Sequence, residues 1–213
     1  AAVLDSTGRP ICCELWPGNT TDVTTLIPIV DRLKSRFAIG RLCIVADRGM
    51  ISKKTIEALQ AVHRDTRFIL GARLRAVKEI REQVLNDTGP LVEIHKPKVR
   101  SQDPAPLQVK EVRIEDRRYI VCYNPDQAKK DRADREAIVA GLRDQLKRGD
   151  KSLIGNKGYR KFVKSVAGKR FEIDQQKVED EARFDGTWVL QTDTALTPAE
   201  AALKYKELWM VEA

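Results

Sequence analysis

The run Arg41-Leu-Cys-Ile-Val-Ala-Asp47-Arg48-Gly49 constrains the fold more than any other stretch, because a continuous apolar, partly β-branched segment ends abruptly in a carboxylate followed by glycine. Such a segment suits a strand buried on both faces, and open α/β sheets deliver ligand-binding groups at the carboxyl ends of strands like this one. Asp47 is therefore the first active-site candidate. A second reading stands beside it: a turn aspartate capping the helix that begins near Ser52.

The rest of the chain sets limits on what Asp47 can do. A length of 213 residues with 42% apolar content can bury one sizeable core, as a single large domain or as a domain with a substantial insertion. A formal net charge of +8 favours a polyanionic partner. No stretch is apolar enough to span a bilayer and the amino terminus lacks the pattern of a secretory signal, so the expectation is a soluble, intracellular protein with no membrane partner. The four cysteines, Cys12, Cys13, Cys43 and Cys122, have poor spacing for zinc or a disulfide framework and read as buried thiols. With only His63 and His95 beside them, any metal should be a hard cation held by carboxylates. No Gly-x-Gly-x-x-Gly or phosphate-loop lysine follows a strand, which weakens a nucleotide-binding enzyme as an alternative.

Periodicity organises the chain into alternating elements. Ala2 to Leu4 and Pro10 to Trp16 flank Asp5-Ser-Thr-Gly and read as a hairpin, with Asp5 a turn residue. A loop ending at Thr20 or Thr21 caps a helix whose Val23, Leu26, Ile27, Val30, Leu33 and Phe37 share a face, with Pro28 bending it or delaying its start. The Asp47 strand, a helix over Lys53 to Val62 and a buried strand over Arg67 to Ala72 follow. Beyond Arg73 the segments shorten: a helix around Ala76 to Leu85, then strands over Leu91 to Val99, Val109 to Ile114 and Arg118 to Tyr123. Asp126 to Arg148 is a charged helix with a narrow stripe of Ala137, Ile138, Leu142 and Leu146, solvated or DNA-contacting.

Lys157-Gly-Tyr159-Arg160-Lys161-Phe162-Val-Lys164 interleaves rings with cations and can hold phosphates, or can be a strand edge blunted by lysine. Arg183 to Gln191 is a turn feeding a strand. Thr197-Pro-Ala-Glu200 has the cap, the proline and the acidic residue of a helix start, and that helix is expected to run to the end of the chain.

Val45-Ala-Asp47-Arg-Gly-Met, Tyr205-Lys-Glu-Leu208-Trp209-Met-Val-Glu212 and Trp16-Pro-Gly-Asn-Thr-Thr-Asp22, in this order and spacing, resemble bacterial insertion-sequence transposases of the DDE type. The resemblance covers nearly the whole chain. It implies an α/β fold, an RNase H-like mixed sheet flanked by helices, with a largely β insertion before the C-terminal helix. The implied boundaries are a first part of the core over 1–74, the insertion over 75–182 with one long charged helix, and a return strand and terminal helix over 183–213.

Carried over by position, the resemblance makes Asp47 the second carboxylate of the catalytic set and Glu212 the third, both as ligands of Mg²⁺ or Mn²⁺. The first is implied on a strand before Ala1, and the lysine of the Tyr-x-x-Arg-x-x-x-Glu signature beyond Ala213, so the chain is expected to be truncated at both ends. Leu208 stands where that signature has arginine. Two divalent ions about 3.5–4 Å apart can activate a water or a 3′-hydroxyl and stabilise the leaving oxygen of a phosphodiester. Arg48, Tyr205, Lys157, Tyr159, Arg160, Lys161 and Lys164 are the candidate DNA contacts, although the rings of Tyr205 and Trp209 on an amphipathic helix are expected to pack in the interior rather than stack on bases.

The implied function is metal-dependent strand cleavage and transfer at transposon ends, with double-stranded DNA of the ends and the target as partners and self-association during synapsis. It is expected in the bacterial cytoplasm with the nucleoid, inactive in a chain lacking the first carboxylate. The competing reading is a non-catalytic DNA-binding or assembly module of the same fold.

Overall fold

The computed structural model describes residues 2–4, 9–13, 22–37, 40–47, 53–62, 64–148, 161–166 and 170–208. Strand β1 (Ala2–Leu4) pairs antiparallel with β2 (Pro10–Cys13), Ala2 lying opposite Cys13, so the expected hairpin is present. Helix α1 (Asp22–Phe37) follows with Pro28 inside it. Ile29, Val30 and Leu33 are buried, whereas Phe37 is 37% exposed under the Arg36 guanidinium. The expected inward position of Phe37 is thus corrected: at the last residue of the helix a cation–π contact covers the ring in place of the core.

Strand β3 (Leu42–Ala46), helix α2 (Lys53–Val62) and strand β4 (Thr66–Gly71) complete the alternation. β3 and β4 are parallel, with Leu42 opposite Thr66 and Ala46 opposite Leu70. Strands β5 (Val92–His95), β6 (Leu107–Ile114), β7 (Arg117–Tyr123) and, later in the chain, β10 (Thr187–Thr192) extend them into one six-stranded sheet of order β3-β4-β10-β7-β6-β5. β10 runs antiparallel to β4, Thr192 opposite Ile69, so the sheet is mixed. The helix expected over Ala76 to Leu85 is present as a short helical segment over 78–84, whose Ile80–Val84 part is π-helical and buries Ile80 and Val84.

Helix α3 (Pro125–Arg148), the hairpin of β8 (Val163–Val166) and β9 (Arg170–Ile173), and helix α4 (Gln175–Ala182) precede β10, and α5 (Pro198–Lys206) follows it. The arrangement is α/β, a mixed sheet flanked by helices, consistent with an RNase H-like domain. The chain divides into two units, one of Ala1–Leu91, Val109–Val121 and Val189–Ala213, the other of Val92–Gln108 and Cys122–Trp188.

In the first unit the core comprises Ile69, Leu70, Ile120, Val189 and Leu190 from the sheet with Ala201 and Ala202 of α5. Two successive alanines at the start of α5 remove the bulk that would hold a helix away from β-branched neighbours. In the second unit Leu142 of α3 and Phe162 are buried together, with Ile138, Leu146, Val163, Ile173 and Val178 packed around them. The apolar stripe of α3 is therefore a packing face, centred on Leu142; Ala137, expected in it, is exposed.

Helix α4 is absent from the expected elements because it fully buries no residue and offers the core the single partly buried Val178, too little for an apolar stripe. Local bonds hold it: the Asp174 side chain caps Lys177 N at 3.3 Å, and Gln175 with Glu179 and Gln176 with Asp180 pair one turn apart.

Candidate active site

Asp47 immediately follows β3 and its side chain is exposed. The strand is less buried than its composition suggests: Ala46 is buried, Leu42, Ile44 and Val45 are half-buried and Cys43 is exposed. The reason is its place at one end of the six-stranded order, with β4 as its only neighbour in that sheet among the described residues. Of the cysteines, Cys122 is buried as expected, whereas Cys13 and Cys43 are exposed. Partial burial of the Cys43 sulfur, then the charge of Asp193, push its thiol up to about 11 against the lowering effect of Lys204. That shift disfavours the thiolate, the form in which a cysteine attacks or binds metal.

One partner of Asp47 comes from the other end of the chain. β10 descends antiparallel to β4 and ends beside its start, where Asp193 accepts hydrogen bonds from Phe68 N at 2.7 Å and Gln60 Nε2 at 2.9 Å. Thr192 Oγ1 donates to Phe68 O at 2.7 Å and lies 2.9 Å from Thr194 Oγ1, closing a buried polar corner. Arg118 then holds the connection, donating to the carbonyls of Thr194 at 2.7 Å and Leu196 at 2.8 Å.

Thr197 and Glu200 form a capping box that starts α5: the Glu200 carboxylate accepts from Thr197 N and Oγ1, each at 2.8 Å, and Thr197 Oγ1 accepts from Glu200 N at 3.3 Å. The backbone bond from Thr197 is the chief cause holding the Glu200 carboxyl below its ordinary value. From this start α5 packs on β4 and β3 and carries Tyr205 to the end of β3. There Tyr205 Oη donates to Asp47 Oδ1 at 2.7 Å.

The described residues therefore bring together two of the expected site residues, Asp47 and Tyr205. Glu212, Arg48, Lys157, Tyr159 and Arg160 lie outside the described residues, as do Trp209 and the Ser52 side of the capping reading of Asp47. The terminal helix ends at Lys206, short of the expected run to the end of the chain: Glu207 is its C-cap, and the turn after it is closed by Leu208 N donating to Tyr205 O at 3.2 Å. In the second unit Lys161 pairs with Glu181 at 2.5 Å and lies over the Phe162 ring, while Lys164 is exposed on β8 opposite Glu172. Phe162 is 3% exposed, so it packs and offers no stacking platform.

Sequence reading passed over Asp193 and Arg118, which direct α5 towards Asp47. Asp193 carries the same signal as Asp47, a carboxylate directly after an apolar strand; Arg118 carries none. Among the described residues no three of His, Cys, Asp and Glu gather in a group able to hold a metal ion. Asp47 offers what a hard divalent cation requires from one ligand, an exposed carboxylate at a strand end. Among the described residues no helix is long and apolar enough to cross a membrane.

Residues 1–212 match the family model described as transposase DDE domain, and the chain belongs to that family. The membership implies a DNA-acting nuclease or transposase enzyme of a kind that typically depends on divalent metal. No curated protein and no solved structure matches the chain.

Proposed function

We propose that this chain carries the metal-dependent chemistry of a bacterial insertion-sequence transposase, cleaving DNA strands at transposon ends and transferring them to a target. The observation that supports this reading best is the meeting of Asp47, at the end of β3, with Tyr205 from the distant segment that resembles the family signature. Asp47 and Glu212 are the proposed metal ligands, with Mg²⁺ or Mn²⁺ as the ions. When bound, such ions supply activation of the attacking oxygen and stabilisation of the leaving one. The chain's own part is to hold carboxylate oxygens at the end of a sheet strand, in a protein whose formal net charge of +8 attracts a polyanion.

Arg48, Lys157, Tyr159, Arg160, Lys161 and Lys164 are the proposed DNA contacts, with double-stranded transposon ends and target DNA as ligands and self-association of the protein during synapsis. Residues 75–182 are proposed as the insertion between the two parts of the core, 1–74 and 183–213. Action on chromosomal DNA would place the protein with the nucleoid in the bacterial cytoplasm.

The test is Mn²⁺ binding by the chain, read from water-proton relaxation. Asp47→Asn and Glu212→Gln are each expected to weaken Mn²⁺ binding relative to the parent. Mn²⁺ binding indistinguishable from the parent in both variants would replace this reading with a non-catalytic DNA-binding module.

A further inference from the structure

We propose that Tyr205 is a positioning residue for the Asp47 carboxylate, holding it in the orientation in which it meets a divalent cation, in place of the DNA contact expected from the sequence. The inference rests on the reading of Asp47 as a metal ligand. It starts from the Oη to Oδ1 distance of 2.7 Å, which suits a hydroxyl donating to an ionised carboxylate.

An exposed aspartate has a broad terminal torsion, so its carboxylate plane is poorly defined without a partner. Tyr205 supplies one from a rigid ring on two side-chain torsions. The ring is half-buried, and its helix is fixed at the other end by the capping box and packed on β3 and β4. The placement of the hydroxyl is thus set by the fold, and it gives Oδ1 of the carboxylate a donor in a fixed direction. The bond to Asp47 occupies the one hydroxyl proton that a DNA phosphate would need. A phenol has one proton to give, so while it is donated to Asp47 it is not donated to a DNA phosphate. Partners of this kind behind a metal ligand commonly change metal affinity by about 10–100-fold when removed.

Tyr205→Phe removes the hydroxyl and keeps the ring. Mn²⁺ titrations of the parent, Tyr205→Phe, Asp47→Asn and the double variant, read by water-proton relaxation, test the proposal. Anisotropy of a double-stranded DNA in EDTA gives the metal-free affinity beside them. Tyr205→Phe should raise the Mn²⁺ concentration at half-saturation about tenfold and leave metal-free DNA affinity unchanged. In the Asp47→Asn background the same change should add nothing, since a group acting only through Asp47 loses its effect with it.

Unchanged Mn²⁺ affinity in Tyr205→Phe overturns the proposal, and reduced metal-free DNA affinity in the same variant would assign the hydroxyl to DNA. An equal loss with and without Asp47 also overturns it, marking a general structural role. Normal Mn²⁺ binding by Asp47→Asn would instead remove the underlying reading of Asp47, an outcome the single tyrosine variant does not mimic.

Discussion

Arg118 and Glu111 face each other across the β6–β7 pair, Nη2 and Nε of the arginine lying 2.7 and 2.9 Å from one glutamate oxygen. The same guanidinium spans the carbonyls of Thr194 and Leu196, so a single side chain ties the hairpin to the start of the last helix. Its side chain is 11% exposed, which makes water a poor substitute for these bonds. Arg118→Met should destabilise the fold by on the order of 2–3 kcal/mol, because it leaves one carboxylate and two carbonyls short of their donor. Arg118→Lys should recover only part, since an ammonium cannot reproduce the fork. Urea midpoints at unchanged slope measure both, and full recovery by lysine would contradict the geometry.

The same pair sets a pH dependence. The Arg118 hydrogen bond is the chief cause holding the Glu111 carboxyl below its ordinary 4.5. A depressed folded value means the unfolded chain takes up the proton first, so this contribution is present above 4.5 and is lost as pH falls through the folded value. Asp87, held low chiefly by Gly89 N and then Lys110, acts in the same direction. Glu111→Gln should therefore be less stable than the parent at neutral pH and lose less stability on going to about pH 3. Parallel acid losses in the two proteins would sink the assignment.

Gly186 precedes β10 with φ +62°, and a Cβ there would lie 2.3 Å from Asn124 O and 2.7 Å from the Ala128 backbone nitrogen. Its own N–H donates to Asp131 at 2.8 Å and its carbonyl accepts from Asn124 N at 2.9 Å. Left-handed backbone alone costs an L-residue roughly 1–2 kcal/mol, and here the neighbours are backbone that cannot swing aside. Gly186→Ala should exceed that cost in chemical denaturation. A change smaller than the left-handed penalty would show that the turn is free to relax.

Lys164 and Lys161 should contribute unequally to DNA affinity. Lys164 is exposed on β8, whereas Lys161 must give up Glu181 before it can meet a phosphate. Lys164→Gln should lower the slope of log affinity against log salt by about one, with Lys161→Gln having the smaller effect. Duplex binding followed by anisotropy over a salt series decides the order, and a larger loss from Lys161→Gln would reverse it.

Much of the fold is written locally. The hairpin of Ala2–Leu4 with Pro10–Cys13, the apolar run ending at Asp47, and the Thr197–Glu200 capping box follow from patterns spanning a few residues, because alternation, turn chemistry and capping act over that range. Elements without such a pattern stay hidden: α4 turns only Val178 to the core, and the Phe37 ring obeys helical spacing yet is covered by Arg36 at the helix end. The candidate site divides in the same way. The sequence by itself determined that Asp47 ends a strand and that Tyr205 rides on a capped helix. Only the tertiary structure decided that they meet, since their 2.7 Å bond depends on β10 lying antiparallel to β4, on Asp193 seating against Phe68, and on Arg118 holding the turn between. Those contacts join residues far apart in the chain, and their register is set by the packing of whole elements, on which short-range periodicity is silent.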